Sequence, residues 1–154
     1  MIVPMVALRQ DMYERSSERG IPCVEWDGKR PPYYARIIFA TPESAATLAF
    51  GRFVQEKKRM FQLERIVIDE CHTILESTDQ WRPKLRQLKE MAGKGVQVLY
   101  LTATLPPSEE AAFYEAVGVP GREMFTLRDS TVRPNITYAV KGYERKEEDE
   151  ALRQ

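Results

Sequence analysis

Short apolar, β-branched runs at residues 36–40, 65–68 and 96–101 recur between longer stretches of helical periodicity, and this alternation restricts the chain to strands interleaved with helices around a parallel sheet. Residues 1–3 read as the tail of a further strand. Residues 5–19 read as a helix stopped by Gly20, with Pro22 just beyond. Residues 23–26 alternate as a short strand, and Asp27-Gly28 and Pro31-Pro32 carry turn chemistry. Thr41-Pro42-Glu43 has the composition of a helix start, with Thr41 as N-cap and Pro42 at the first helical position; Ala45, Leu48, Ala49 and Phe53 would then share one apolar face.

Downstream, residues 80–92 are periodic as a helix with Trp81, Leu85, Leu88 and Ala92 on one side, ended by Gly93-Lys94-Gly95. Pro106-Pro107-Ser108 leads into a helix through Val117, residues 124–127 suggest a short strand, and Val132-Arg133-Pro134-Asn135 suggests a linker. Residues 136–140 alternate as a new strand and a charged helix is expected from Arg145. A chain whose first residue already lies in a strand looks as if it starts inside a domain. The expected organisation is a partial domain over residues 1–131, then a linker and the start of a second domain over 132–154.

The 154 residues are 43% hydrophobic and 30% charged, which suits a globular domain. No run of 18 or more apolar residues and no basic-then-apolar leader is present, so no membrane span or signal peptide is expected and the protein reads as intracellular. Asn135-Ile136-Thr137 is then a chance match to a glycosylation triplet. Cys23 and Cys71 cannot make a disulfide framework, and with His72 as the single histidine they fall short of a structural zinc site. Net charge is zero, so any nucleic-acid surface must come from local clusters: Lys57-Lys58-Arg59, or Arg82, Lys84, Arg86 and Lys89, against an acidic tail at residues 144–150. Such clusters are also what an ordinary solvated face looks like.

The chemistry-bearing stretch is Ile66-Val67-Ile68-Asp69-Glu70-Cys71-His72, followed after the next strand by Leu101-Thr102-Ala103-Thr104. Carboxylates at the carboxyl end of a strand lie on the rim where open α/β sheets bind ligands. Asp69 suits a water-mediated hold on magnesium, and Glu70 suits a base or orienter for an attacking water. Phosphoanhydride hydrolysis also needs a phosphate cradle of the form Gly-x-x-x-x-Gly-Lys-Ser/Thr. These residues contain none, since Gly28-Lys29 runs into Arg30 and Gly93-Lys94 into Gly95.

Taken together these motifs resemble those of the superfamily 2 helicases, with their Asp-Glu-x-His box and Ser/Thr-Ala-Thr coupling motif, and within them the RecQ-like DNA helicases. Val3-Pro4-Met5-Val6-Ala7-Leu8-Arg9-Gln10-Asp11 is similar to their first strand-binding motif, Phe39-Ala40-Thr41-Pro42-Glu43-Ser44 to the next, and Arg133-Pro134-Asn135-Ile136 to the approach to their second motor domain. The resemblance implies a RecA-like α/β domain, ATP and Mg2+ as cofactors with Asp69 as the metal-side carboxylate, and DNA as partner. It implies 3′ to 5′ translocation in the intact protein and a nuclear location in a eukaryotic cell.

Residue by residue, the resemblance gives catalysis to Asp69 and Glu70 and coupling to His72, Thr102 and Thr104. DNA contact falls to Pro4, Arg9, Gln10, Thr41, Pro42, Trp81 and Arg82. Trp81 is alternatively a core residue on the Leu85/Leu88 stripe, and the threonines alternatively cap a strand end. It also implies that a phosphate-loop strand, absent from these residues, would sit between residues 96–101 and 124–127, leaving a gap or an open edge and no useful ATPase from this stretch alone. A non-catalytic DNA-binding remnant, or a helicase acting on RNA, are the other readings.

Overall fold

The computed structural model describes residues 1–31, 34–76, 96–130, 133–137 and 139–140. Its centre is a parallel sheet assembled from two strand pairs. Strand β1 (Cys23–Glu25) lies beside β2 (Ile37–Phe39), with Cys23 opposite Ile37. Strand β3 (Arg65–Ile68) lies beside β4 (Gln97–Tyr100), with Arg65 opposite Gln97.

Residues 1–3 join the pairs. Ile2 bridges in parallel to Ala40 on one side and Ile68 on the other. Its N–H donates to the Val67 carbonyl at 2.7 Å and its carbonyl accepts from Asp69 N–H at 2.9 Å, while Val3 N–H donates to Ala40 O and Ala40 N–H to Met1 O, both at 2.9 Å. The order across the sheet is therefore β1, β2, residues 1–3, β3, β4. The predicted strand is real in its bonding, and its central place explains why Ile2 and Val3 are buried at 1% and 0% exposure. The Met1 ammonium donates to Ile38 O at 2.6 Å, and burial pushes its pKa down to about 6.

Helix α1 (Val6–Glu18) follows with the predicted stop: Gly20 sits at φ 71°, a left-handed conformation that glycine adopts without steric cost. The next helical stretch differs from expectation. It is split into α2 (Pro42–Ala45) and α3 (Leu48–Arg59) by Thr47, whose extended backbone breaks the helix and whose hydroxyl accepts the Phe50 N–H at 3.3 Å as a new N-cap. The break turns Phe50, Phe53 and Val54 inward and leaves Leu48 72% exposed, so the expected Ala45/Leu48/Ala49/Phe53 face is only half correct. Phe50 and Phe53 each hold the Trp26 ring at 5.1 Å between centroids, Phe50 edge-on and Phe53 tilted at 39°.

Beyond β3, one turn of helix, α4 (Thr73–Glu76), is described, and after β4 a 3-10 turn (Pro107–Glu109) leads to α5 (Glu110–Val117), ended by Gly118 at φ 64°. Phe113 of α5 meets Tyr100 of β4 edge-on at 5.4 Å, sealing this end of the core, and burial pushes the Tyr100 phenol up to about 12.

Two expected strands have no paired partner among the described residues. Residues 124–127 belong to no strand among the described residues, with Phe125 88% and Leu127 84% exposed. The described part of residues 136–140 is likewise outside any strand; Ile136 N–H closes a turn on Arg133 O at 3.0 Å through Pro134-Asn135. In both cases the apolar alternation is present, and what is lacking among the described residues is a neighbouring strand to bond. The predicted helices over residues 80–92 and from Arg145 fall outside the described residues. No helix among the described residues is long and apolar enough to cross a membrane.

Candidate active site and nucleic-acid face

Because every strand runs the same way, the carboxyl ends of β3, residues 1–3 and β4 share one rim. Asp69 is the first residue past β3, held by its N–H on Ile2 O. Its carboxylate is half-buried and has no hydrogen bond or ion pair among the described residues, which leaves it open to solvent-borne ligands. The chain then turns sharply: Glu70 takes φ 47°, a left-handed conformation that costs a non-glycine residue on the order of 1–2 kcal/mol. The bend is held from both sides. Glu70 O accepts from Thr73 N–H at 3.0 Å and from the Thr73 hydroxyl at 2.8 Å, while Cys71 N–H reaches across to Leu101 O at 2.9 Å.

This bend aims two side chains back at the neighbouring strand. His72 Nδ1 lies 2.8 Å from Thr102 Oγ1 and 3.3 Å from Glu70 Oε2. Thr102 Oγ1 in turn accepts the Thr104 N–H at 3.2 Å and lies 3.5 Å from Thr104 Oγ1. Glu70, His72, Thr102 and Thr104 are thus one connected polar chain across the rim, although the motifs are thirty residues apart. Cys71 points the other way into the core, and burial, with help from the Glu70 and Asp69 charges, pushes its thiol up to about 12, so it stays protonated.

The residues expected to face DNA behave differently. Thr41 is the N-cap of α2: its hydroxyl accepts Ser44 N–H at 3.3 Å, and Pro42 is buried, serving the first helical position. Gln10 donates to Glu14 Oε1 at 3.0 Å on the exposed side of α1. Arg9 Nε sits 2.9 Å from Glu25 Oε1 with the Arg9 side chain only 17% exposed. The approach is an ion pair by distance, but the N–H is not aimed for a hydrogen bond. Pro4 is half-buried just past the residues 1–3 segment. Trp81 and Arg82 lie outside the described residues.

The sequence matches the DEAD/DEAH box helicase family over residues 1–113. The chain belongs to that family. Two relatives in it are similar over most of this chain: the ATP-dependent DNA helicase hus2/rqh1 of Schizosaccharomyces pombe, 26% identical over 92% of the chain and 12% of that protein, and the ATP-dependent DNA helicase Q-like 4B of Arabidopsis thaliana, 30% identical over 68% of the chain and 9% of that protein. The chain spans about a tenth of the length of these relatives. The parallel α/β architecture agrees with the RecA-like domain expected of a DEAD/DEAH helicase.

The donor set can be tested against the cofactors this family implies. Among the described residues there is no group of three or more His, Cys, Asp or Glu able to cage a metal. A magnesium ion that arrives on a nucleotide and keeps several waters needs only one or two protein carboxylates. Asp69, open at the rim, fits that requirement. For the nucleotide, these residues offer the carboxylate side and no glycine-rich cradle. Sequence reasoning missed two structural supports of the site: the Ile2 backbone that fixes Asp69, and Arg128, which donates to Leu105 O beside Thr104. The Leu105 carbonyl lies 23 residues from Arg128, and no local pattern signals such a pair.

Proposed function

We propose that the chain forms the magnesium-and-water side of the ATP site, with an adjoining DNA-facing surface, in an ATP-dependent DNA helicase of the RecQ-like kind. The observation that carries this reading is the hydrogen bond between His72 and Thr102, which joins the acidic box to the Thr-Ala-Thr segment while keeping Glu70 within 3.3 Å of the same imidazole nitrogen. Asp69 would hold Mg2+ through water, and the ion, when bound with ATP, would supply charge neutralisation at the phosphates. Glu70 orients a water for in-line attack and takes its proton at a carboxylate oxygen. His72 shares its Nδ1 between Glu70 and Thr102, so a shift of Thr102 or Thr104 changes how Glu70 is held.

DNA lies against Pro4, Arg9, Gln10, Thr41, Pro42, Trp81 and Arg82, contacted through its backbone and by stacking without reading sequence. Residues 1–131 belong to the first motor domain and 132–154 lead into the second. Translocation runs 3′ to 5′, and in a eukaryotic cell the protein works in the nucleus. The names of the two relatives, both DNA helicases, support DNA over RNA as the strand.

A second reading, DNA binding without hydrolysis, is favoured by one observation: these 154 residues contain no phosphate loop. Fluorescence anisotropy with labelled single-stranded DNA and a coupled ATPase assay, on residues 1–154 and on a polypeptide extended upstream, separate the two. DNA binding by both, with turnover only in the longer one, supports the helicase. DNA binding without turnover in either supports the second reading, and preference for an RNA strand of the same sequence overturns both.

A further inference from the structure

The segment after α5 is tied back to the loop that carries Thr102 and Thr104. Arg128 Nη1 donates to Leu105 O at 2.9 Å, and Nη2 of the same guanidinium pairs with Glu110 Oε1 in the first turn of α5. The other oxygen of that carboxylate accepts from the Tyr114 hydroxyl at 3.3 Å, and the Tyr114 oxygen lies 3.0 Å from Thr126 Oγ1. A planar fork that spans a backbone carbonyl and a carboxylate fixes both in one geometry, which a single ammonium cannot do. Gly121 leaves room for this arrangement, because a Cβ there would stand 2.9 Å from the Tyr114 ring.

We propose that Arg128 is a positioning residue for the coupling loop: by holding the Leu105 carbonyl, one residue past Thr104, it sets the distance from Thr102 to His72 and links that distance to the segment leading into Arg133-Pro134. The functional sense of this link rests on the helicase reading above; its geometry does not. Leu105 is itself packed on the core, so a pull on residues 126–128 reaches Thr104 through the next peptide, Thr102 through the 3.2 Å bond from Thr104 N–H, and His72 through the 2.8 Å bond beyond.

His72 is the single histidine of the chain, so its imidazole nitrogens can be read without ambiguity in a 15N-labelled sample by long-range 1H–15N correlation. Thr102→Val, which removes the bonded hydroxyl, defines the Nδ1 position for a lost bond. Arg128→Gln is expected to move Nδ1 toward that position, while Tyr114→Phe, which leaves both Arg128 bonds in place, is expected to leave it unmoved. A folded Arg128→Gln chain whose His72 signals superimpose on those of the unsubstituted chain overturns the proposal, as does an equal shift in Tyr114→Phe. Should Arg128→Gln fail to fold, Arg128→Lys decides: it keeps the charge beside Glu110 but cannot span both acceptors, and a shifted Nδ1 supports the proposal where an unshifted one refutes it. The readout needs neither nucleotide nor DNA, so failure of DNA binding would remove the helicase reading and leave this result standing.

Discussion

The acidic rim and the described part of the surface proposed to face DNA lie on the same run of strands and loops, yet their polar groups are wired in opposite ways. On the rim, His72 bonds Thr102, Thr102 accepts from Thr104 and Glu70 lies 3.3 Å from His72 Nδ1, across thirty residues, and Asp69, with no bond from its carboxylate among the described residues, is the carboxylate proposed for a ligand. On the other surface Thr41 caps its own helix, Gln10 bonds one turn along, and Arg9 pairs with Glu25. A network bonded to itself is organised before its ligand arrives, which is what positioning a water requires. A surface whose groups already have partners must exchange them to bind, which suits weak, sequence-tolerant contact with a moving strand.

The sharpest break between the two regions comes from Glu70→Gln. In a polypeptide that presents this rim to a phosphate loop, the amide keeps the shape of the side chain but cannot take a proton. Turnover measured in single-cycle conditions should fall on the order of 10²–10⁴-fold while nucleotide binding survives. Full turnover in the variant removes Glu70 from the reaction, and DNA affinity should be unchanged in either case.

Next in size is Ile2→Ala. Ile2 is the middle residue of the segment that joins the β1–β2 pair to the β3–β4 pair and is almost fully buried, so truncation should destabilise the chain by about 2–5 kcal/mol, read as a lowered urea midpoint. Val24→Ala, on the half-buried outer strand, should cost clearly less. Equal losses would mean that the Ile2 side chain adds nothing to the seam beyond the backbone bonds of residues 1–3, which alanine retains.

These positions also show what a sequence makes legible. The helix stop at Gly20, the Thr41/Pro42 start and the strand ahead of Asp69 follow local rules, and each is found within a residue or two of its expected place. The Asp69–Glu70 and Thr102–Thr104 pair was legible because both motifs end adjacent strands, which converts a large separation in sequence into one hydrogen bond. Thr47 was not, since a second cap inside an apolar-periodic stretch reads as an ordinary helical threonine until tertiary packing selects Phe50 and Phe53 over Leu48. Residues 124–127 carry a strand's pattern without a strand's partner among the described residues, and backbone pairing cannot be read from one strand alone.

In the 154-residue polypeptide, where residue 1 carries a free amine, the buried Met1 ammonium gives a pH test of the sheet centre. Its pKa falls from 8.0 to about 6 on folding, so between those values the unfolded chain holds more proton than the folded one and stability rises with pH. The contribution is full above pH 8.0 and is lost as pH falls toward 6, a swing of about 2–3 kcal/mol for the two-unit shift. Urea midpoints at either end of that window measure it, and acetylation of Met1, which removes the titrating group, should flatten the profile.

The smallest effect tests the surface proposed to face DNA. If Arg9 is held off the strand by Glu25, then Glu25→Gln should release its charge, raising affinity for single-stranded DNA a few-fold and steepening the salt dependence by roughly 0.7 in log–log slope, the share of one phosphate contact. Arg9→Gln in the unsubstituted background should change affinity less than Arg9→Gln in the Glu25→Gln background, because the paired arginine contributes little to begin with. The comparison is informative in both directions. A slope that does not move with Glu25→Gln places Arg9 away from the strand and leaves its role to the β1–α1 contact, whereas a large loss on Arg9→Gln alone shows that the ion pair opens readily and that Arg9 exchanges Glu25 for a phosphate when the strand binds.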